Sequence, residues 1–305
     1  MTKSIVPFQT IENTIGKTPL VRLAALSGEE NEKRNNVILA KLEGSNPSGS
    51  IKDRIVSAIV RYAEERGEIS PGDMLIEAAN GNAGIALAMM AAKKGYGCTL
   101  VMPEDTSMEK QQCMAIYGAK IILTPGHTGM SVARDLVRKM VEEGQGVTLD
   151  LSVNPDNPRA HYETTGPEIW YATAGLVTHV VCGMGSTGTI TGVSRYLKEM
   201  NPDIQIIGVE PEIAGRIPGL QKWSVSGVRR AWDAGRIDSV ELVSLAHAEH
   251  MVRRMAKEEG FFCGISSAAA CHVTLQLSRE VEGATMVFVA SDRGDRYLSM
   301  GMFPA

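Results

Sequence analysis

With 305 residues, 44% of them hydrophobic, the chain can bury a sizeable core and reads as two α/β lobes in place of one. Lys plus Arg number 31 and Asp plus Glu 35, a formal charge of −4 that gives no general electrostatic reason to expect nucleic acid or an anionic membrane as partner. The five cysteines, Cys98, Cys113, Cys182, Cys263 and Cys271, form no CxxC pair, and their odd number does not suggest a disulfide scaffold; they read as buried thiols in a reducing cytosol. No stretch of about 18 uncharged apolar residues occurs, and "MTKSIVPFQT" lacks a signal peptide's apolar segment, so a cytoplasmic location is expected.

Short apolar runs alternate with longer amphipathic segments from residue 37 onward. The strand candidates "VILAKL" (37–42), "MLIEA" (74–78), "CTLVMP" (98–103) and "KIILT" (120–124) are followed by helix candidates at 53–67, 83–95, 107–118 and 130–144. Strands buried on both faces and joined by such helices make a mostly parallel sheet. The polar, proline-rich passage "LSVNPDNPRAHYETTGPE" (151–168) interrupts the rhythm and reads as a hinge or lobe boundary. A second alternation follows: "THVVCG" (178–183), a helix at 191–202, "IQIIGVEP" (204–211), a helix at 246–260 and "TMVFVASD" (285–292). Between them, 213–235 has weak periodicity and many turn residues, an excursion of a length more often functional than silent.

Three segments carry chemistry. "GSNPSGSIKDR" (44–54) runs into a helix expected to begin near Asp53, so Lys52 stands at a helix start, where the dipole disfavours a cation. A neutral lysine amine attacks an aldehyde and later serves as base; taken alone, Lys52 reads as a solvated surface residue, and its placement between turn residues and a helix, in a chain with a phosphate-type nest, moves it toward chemistry. "EAANGNAGIALAMM" (77–90) sets Asn82 between Gly81 and Gly84 at a strand-to-helix turn. "GMGSTGTITG" (183–192) follows a strand and opens a helix, with successive N–H groups and the hydroxyls of Ser186, Thr187 and Thr189 able to nest a phosphate. It is not a dinucleotide fingerprint, since it lies past the middle of the chain and the acidic partner would have to be Glu210. A glycine turn needed only for packing is the alternative. The six histidines, His127, His161, His179, His247, His250 and His272, show no ligand pattern, and no metal is expected.

Together these segments resemble pyridoxal-phosphate enzymes of fold type II, and within them the cysteine synthase family. "NPSGSIKDR" is similar to the family's lysine segment, "NGNAG" to its asparagine loop, "GSTGT" to its phosphate cup and "GISSAAA" (264–270) to its pyridine-end segment. "IGKTPLVRL" (15–23), "TTGPEIW" (164–170) and "DRGDRYLSMGMF" (292–303) extend the likeness over essentially the whole chain, and "IPGLQKW" with "DRGDRYLS" looks closest to the B type.

The resemblance implies two lobes, each with a mostly parallel twisted sheet flanked by helices: a smaller mobile one at 46–155, and a larger one from 1–45 and 156–305. It implies pyridoxal 5′-phosphate as cofactor, an amino-acid substrate and sulfur nucleophile as small-molecule partners, and a homodimer. Lys52 would bind the cofactor's aldehyde and act as proton-transfer base. Asn82 would reach its phenolate oxygen, Gly185, Ser186, Thr187, Gly188 and Thr189 would hold its phosphate, and Ser266 would face the pyridine nitrogen. Read by itself, Ser266 is a structural hydroxyl capping the helix formers that follow it.

Asn80, Gly81 and Ala83 would receive the substrate carboxylate, and here the chain departs from the pattern. The family has a serine at position 80 and a threonine at position 83; this chain keeps an amide and loses the second hydroxyl. Gln221 and Lys222 stand where the B type commonly has two arginines. The expected reaction is L-cysteine formation from O-acetyl-L-serine and sulfide, or S-sulfocysteine with thiosulfate. The alternatives are cysteine desulfhydration, cystathionine, lanthionine or diaminopropionate synthesis, and, from another class, a non-catalytic cofactor-binding regulatory subunit.

Overall fold

Runs apolar at consecutive positions become strands covered on both faces, and the helical-period segments between them provide the cover. The computed structural model describes residues 8–214, 217–223, 236–301 and 303. The strands are β1 (Leu20–Arg22), β2 (Val37–Leu42), β3 (Met74–Ala78), β4 (Gly97–Pro103), β5 (Lys120–Thr124), β6 (His179–Gly183), β7 (Gln205–Pro211), β8 (Ser239–Val243) and β9 (Thr285–Ala290). One sheet has six of them in the order β1-β2-β9-β6-β7-β8, the other three in the order β3-β4-β5. Every pairing is parallel except that of β1 with β2. The fold is thus the two-lobed α/β arrangement expected from the sequence.

The helices are α1 (Gly28–Lys33), α2 (Lys52–Glu65), α3 (Asn82–Lys94), α4 (Met108–Ile116), α5 (Gly129–Glu142), α6 (Asp156–Ala160), α7 (Gly166–Ala172), α8 (Gly188–Met200), α9 (Leu245–Glu258) and α10 (Ile265–Leu277). Adjacent strand residues point to opposite faces, so Val181 and Phe288 pack toward Met251, Met255 and Ala268 of α9 and α10. Val180 and Val287 pack toward Ile190, Val193 and Leu197 of α8. In the smaller sheet Leu75 and Leu100 meet α2 and α3, while Ile76 and Val101 meet α5. Met89 and Met90 belong to that core. All five cysteines are free, Cys113 half-buried and the others buried.

The 151–168 passage is helical from Asp156 onward, after a turn at 151–155. Its turn residues start helices: Pro155 precedes α6, Pro158 lies in the first turn of α6 and Pro167 in that of α7, where a missing N–H leaves no bond unmade. Between them His161–Thr165 forms a π-helical turn. The weakly periodic elements escaped the sequence pattern: three-residue β1, the charged α1 and the edge strand β8, which is half-exposed along its length. Of the 213–235 excursion, 215–216 and 224–235 lie outside the described residues, as do 1–7 of the opening decapeptide and Met302 of the terminal motif.

A buried ion network joins the elements around the start of α2. Arg54 donates from Nε and Nη2 to Glu43 at 2.7 and 2.9 Å, and from Nη1 and Nη2 to Glu168 at 2.7 Å each. Lys41 Nζ donates to Glu168 and to the Thr18 carbonyl, each at 2.6 Å. Burial raises the Glu168 carboxyl, but Arg54 and Lys41 outweigh it and hold it at about 2. Replacing Arg54 with Met removes one cation and leaves Glu43 buried without its partner. Urea unfolding is expected to show a loss of about 3–5 kcal/mol; a loss below about 1 kcal/mol would show that the network does not hold the fold.

Candidate active site

Open α/β sheets place ligands beyond the carboxyl ends of their strands, and β6 and β9 end at one cavity. Of the residues selected from sequence, Lys52, Asn82, Gly185, Ser186, Thr187, Thr189 and Ser266 line it. Gly188 lies behind the turn, buried. Asn80, Gly81 and Ala83 lie beside Asn82 on the loop and first turn of α3 and are not part of the lining.

The Gly185–Thr189 turn leads directly into α8, whose cap residue Thr187 has a left-handed φ of 64° and makes no capping bond with its side chain. The first-turn N–H groups of α8 therefore have no carbonyl a turn earlier and face outward as donors. Close packing excludes side chains here: a Cβ on Gly188 would lie 1.8 Å from Asn157 Oδ1, and one on Gly185 2.6 Å from the Gly219 carbonyl. Asn157 is fixed in turn by donating to the Leu151 carbonyl at 3.0 Å and to Ser186 Oγ at 3.3 Å. Trp223 Nε1 donates to the Gly185 carbonyl at 3.1 Å, so the described start of the 213–235 excursion braces the turn.

At the opposite end Lys52 is the first residue of α2. Burial lowers its ammonium pKa, while the nearby Asp292 charge opposes that shift. Asn82, first residue of α3, is held on both sides of its amide: Nδ2 donates to Asp292 Oδ2 at 2.6 Å, and Oδ1 accepts from Arg296 Nη1 at 2.8 Å. A carboxylate on one side and a guanidinium on the other permit a single amide orientation, with Nδ2 as the donor end. Tyr297 also donates to Asp292 Oδ2, whereas buried Asp292 Oδ1 has no hydrogen-bond partner among the described residues. Ser266 is the second residue of α10, whose cap is Gly264, so its hydroxyl does not cap that helix and instead lines the cavity.

A phosphorylated pyridine aldehyde fits this donor set. The turn offers N–H groups to a dianion, Asn82 an amide hydrogen to a phenolate, Ser266 a hydroxyl to a ring nitrogen, and Lys52 an amine to a carbonyl. Asp292, Arg296 and Tyr297 were missed as site residues in the sequence; they lie in "DRGDRYLS", a segment noted only for its resemblance. Nothing local marked Asn157 within its polar passage.

Comparison with known proteins agrees with this chemistry. The family profile described as "Pyridoxal-phosphate dependent enzyme" matches residues 11–292. Cysteine synthase B of Pseudomonas aeruginosa is 51% identical over 298 residues, covering 98% of each chain. Among solved structures, O-ureido-L-serine synthase is similar with a TM-score of 0.89 and 35% identity, over 97% of this chain and 95% of that one. The O-acetylserine dependent cystathionine beta-synthase of Helicobacter pylori gives 0.87 and 34%, over 98% and 100%.

The electrostatics have a measurable sign. In the cofactor-free protein, acylation of Lys52 followed by peptide mass spectrometry is expected to reach half its maximal rate below the ordinary lysine value of 10.5, because burial favours the neutral amine. Asp292→Asn removes a charge that favours the ammonium, so the midpoint is expected to move lower still. An upward shift, or a Lys52 that titrates like a surface lysine, would contradict this arrangement.

Proposed function

Because the chain belongs to the pyridoxal-phosphate dependent enzymes of fold type II, sharing its full length with cysteine synthases, we propose that it forms L-cysteine from O-acetyl-L-serine and sulfide, acting as a homodimer. The observation that carries this reading is the convergence of an amine with a lowered pKa, a fixed amide and an open helix N-terminus on one cavity. Bound there, pyridoxal phosphate supplies an electron sink that acidifies the amino acid's Cα–H.

The protein's own groups do the rest. Lys52 Nζ would hold the cofactor's aldehyde and, as a neutral amine, would take the proton from the substrate's Cα. Asn82 and the Gly185–Thr189 turn would keep the cofactor from rotating. Ser266, a neutral hydroxyl, would meet the ring nitrogen without forcing its protonation as a carboxylate would, which would favour prompt loss of the β substituent. The substrate carboxylate is assigned to Asn80 and to the backbone N–H groups of the first turn of α3, where Gly81 leaves open space and Ala83 contributes no hydroxyl. Residues 46–155, taken as the mobile lobe, carry this loop, while the phosphate turn and Ser266 belong to the larger lobe.

Sulfide is preferred to thiosulfate because Gln221 and Lys222 replace the two arginines common in the B type, and Lys222 directs one of its N–H groups to the Glu212 carbonyl at 2.7 Å. Relatives named for O-ureido-L-serine and cystathionine show that this architecture accommodates other nucleophiles, so product analysis is run against a panel. With O-acetyl-L-serine and sulfide the purified protein is expected to yield L-cysteine. Lys52→Ala is expected to stay folded, lack the visible absorption of a lysine-bound pyridoxal and lose almost all turnover. Product at the wild-type rate from that variant would remove Lys52 from the mechanism.

A second test addresses the altered loop. Asn80→Ser with Ala83→Thr is expected to change the apparent affinity for O-acetyl-L-serine at constant cofactor content. Each charge-assisted bond regained is worth on the order of 1.5–3 kcal/mol, against about 1 kcal/mol or more of crowding. Identical titrations by variant and parent for every amino acid offered would place the carboxylate elsewhere.

A further inference from the structure

Behind the Gly185–Thr189 turn stands a histidine that no motif singles out. His161 opens the π-helical turn and is fully buried. Its Nδ1 is 2.9 Å from Thr165 Oγ1, and its Nε2 is 3.1 Å from Thr189 Oγ1 in the first turn of α8. The helix comes this near because of Gly192, where a Cβ would lie 2.1 Å from the Pro158 carbonyl and 2.6 Å from His161 Cβ. Local π-helical geometry is frequent at functional sites, and here it sets the ring between two hydroxyls.

A neutral imidazole carries one N–H, and its two tautomers have different consequences. With the proton on Nδ1, the ring donates to Thr165, whose own hydroxyl hydrogen then has no acceptor among the described residues. Thr189 must in that case donate to Nε2, and it turns only lone pairs toward the cavity. With the proton on Nε2, Thr165 donates to Nδ1, the ring donates to Thr189, and the hydrogen of Thr189 is free to meet an anion. The buried donors of His161 and Thr165 then each have an acceptor. The doubly protonated ring is disfavoured by burial and by the charges of Lys52 and Arg54, which lower its pKa well below the usual value.

We infer that His161 is a positioning residue: held by Thr165 as the Nε2–H tautomer, it makes the Thr189 hydroxyl a donor to a phosphate ester in the Gly185–Thr189 turn. This rests on the proposal that the turn holds the cofactor's phosphate. It assigns His161 no contact with the substrate and no proton transfer in the reaction.

The test compares binding of pyridoxal phosphate with that of pyridoxal, which lacks the phosphate. Wild type is expected to prefer the phosphate ester. In His161→Asn, whose amide cannot reach the Nε2 position, that preference is expected to fall about tenfold or more, the loss of one charge-assisted hydrogen bond. Binding of pyridoxal itself is expected to persist. His161→Gln, whose amide nitrogen can stand where Nε2 stands, is expected to restore most of the preference. If wild type shows no preference, the turn does not hold the phosphate, and the inference fails with that reading. If wild type shows it and His161→Asn keeps it, only the inference fails. A measurement independent of variant folding is nitrogen NMR of histidine-labelled wild-type protein loaded with pyridoxal phosphate: a proton on His161 Nε2 supports the relay, and a proton on Nδ1 overturns it.

Discussion

Arg54, clamped between two carboxylates, is the constraint on which the site depends. Its guanidinium makes paired bonds to Glu43 on the turn after β2 and to Glu168 in the first turn of α7, and Lys41 of β2 closes the network on Glu168. Two cations face two anions, so the desolvation of each charge is offset by near and well-oriented partners. Arg54 is two residues beyond Lys52 in the same helix. A rotation of α2 large enough to move Lys52 out of the cavity would break both paired contacts at once. The lysine is therefore positioned by the larger sheet and α7, even though its helix leads into the smaller lobe.

A second network sets the electrostatics around that lysine. Asp292 follows β9 and receives Asn82 and Tyr297, and Arg296 fixes the far side of the same amide. Arg296 also donates to the Ser48 carbonyl, while Ser48 holds Asp53, the neighbour of Lys52, by its N–H at 2.6 Å. Burial pushes Asp53 up to about 6, with Ser48 opposing the shift. Lysine, asparagine and the segment after β9 are consequently linked through hydrogen bonds and not merely adjacent. Lys110 of α4 adds a buried cation, 4.4 Å from the centre of the Tyr297 ring, which ties the smaller lobe to the same cluster.

The fold was legible where the pattern is dictated by burial on both faces. The runs at 37–42 and 74–78 became β2 and β3 without change of boundary, because apolar continuity leaves a buried strand few alternatives. The run at 120–124 also kept its bounds as the edge strand β5, although Lys120 and Leu123 are exposed. The helices inside the proline-rich passage were not legible, because proline marks helix starts as well as breaks and α6 and α7 both begin beside one. The site was legible for backbone-driven features: Gly185 and Gly188 cannot carry a Cβ, and Lys52 begins a helix. It was not legible for groups that act across large sequence separations. Asp292 meets Asn82 from 210 residues away, and His161 meets Thr189 from 28, pairings that no local spacing encodes.

The central claim is that Lys52 holds the cofactor in this cavity, and it can be tested without reference to any substrate. The protein is loaded with pyridoxal phosphate, reduced with borohydride to make the lysine linkage permanent, digested and analysed by mass spectrometry. The expected result is a phosphopyridoxyl group on the peptide containing Lys52, absent when Lys52 is replaced by alanine. A tag on Lys41, Lys110 or a surface lysine in place of Lys52, or no tag at all, would contradict the account.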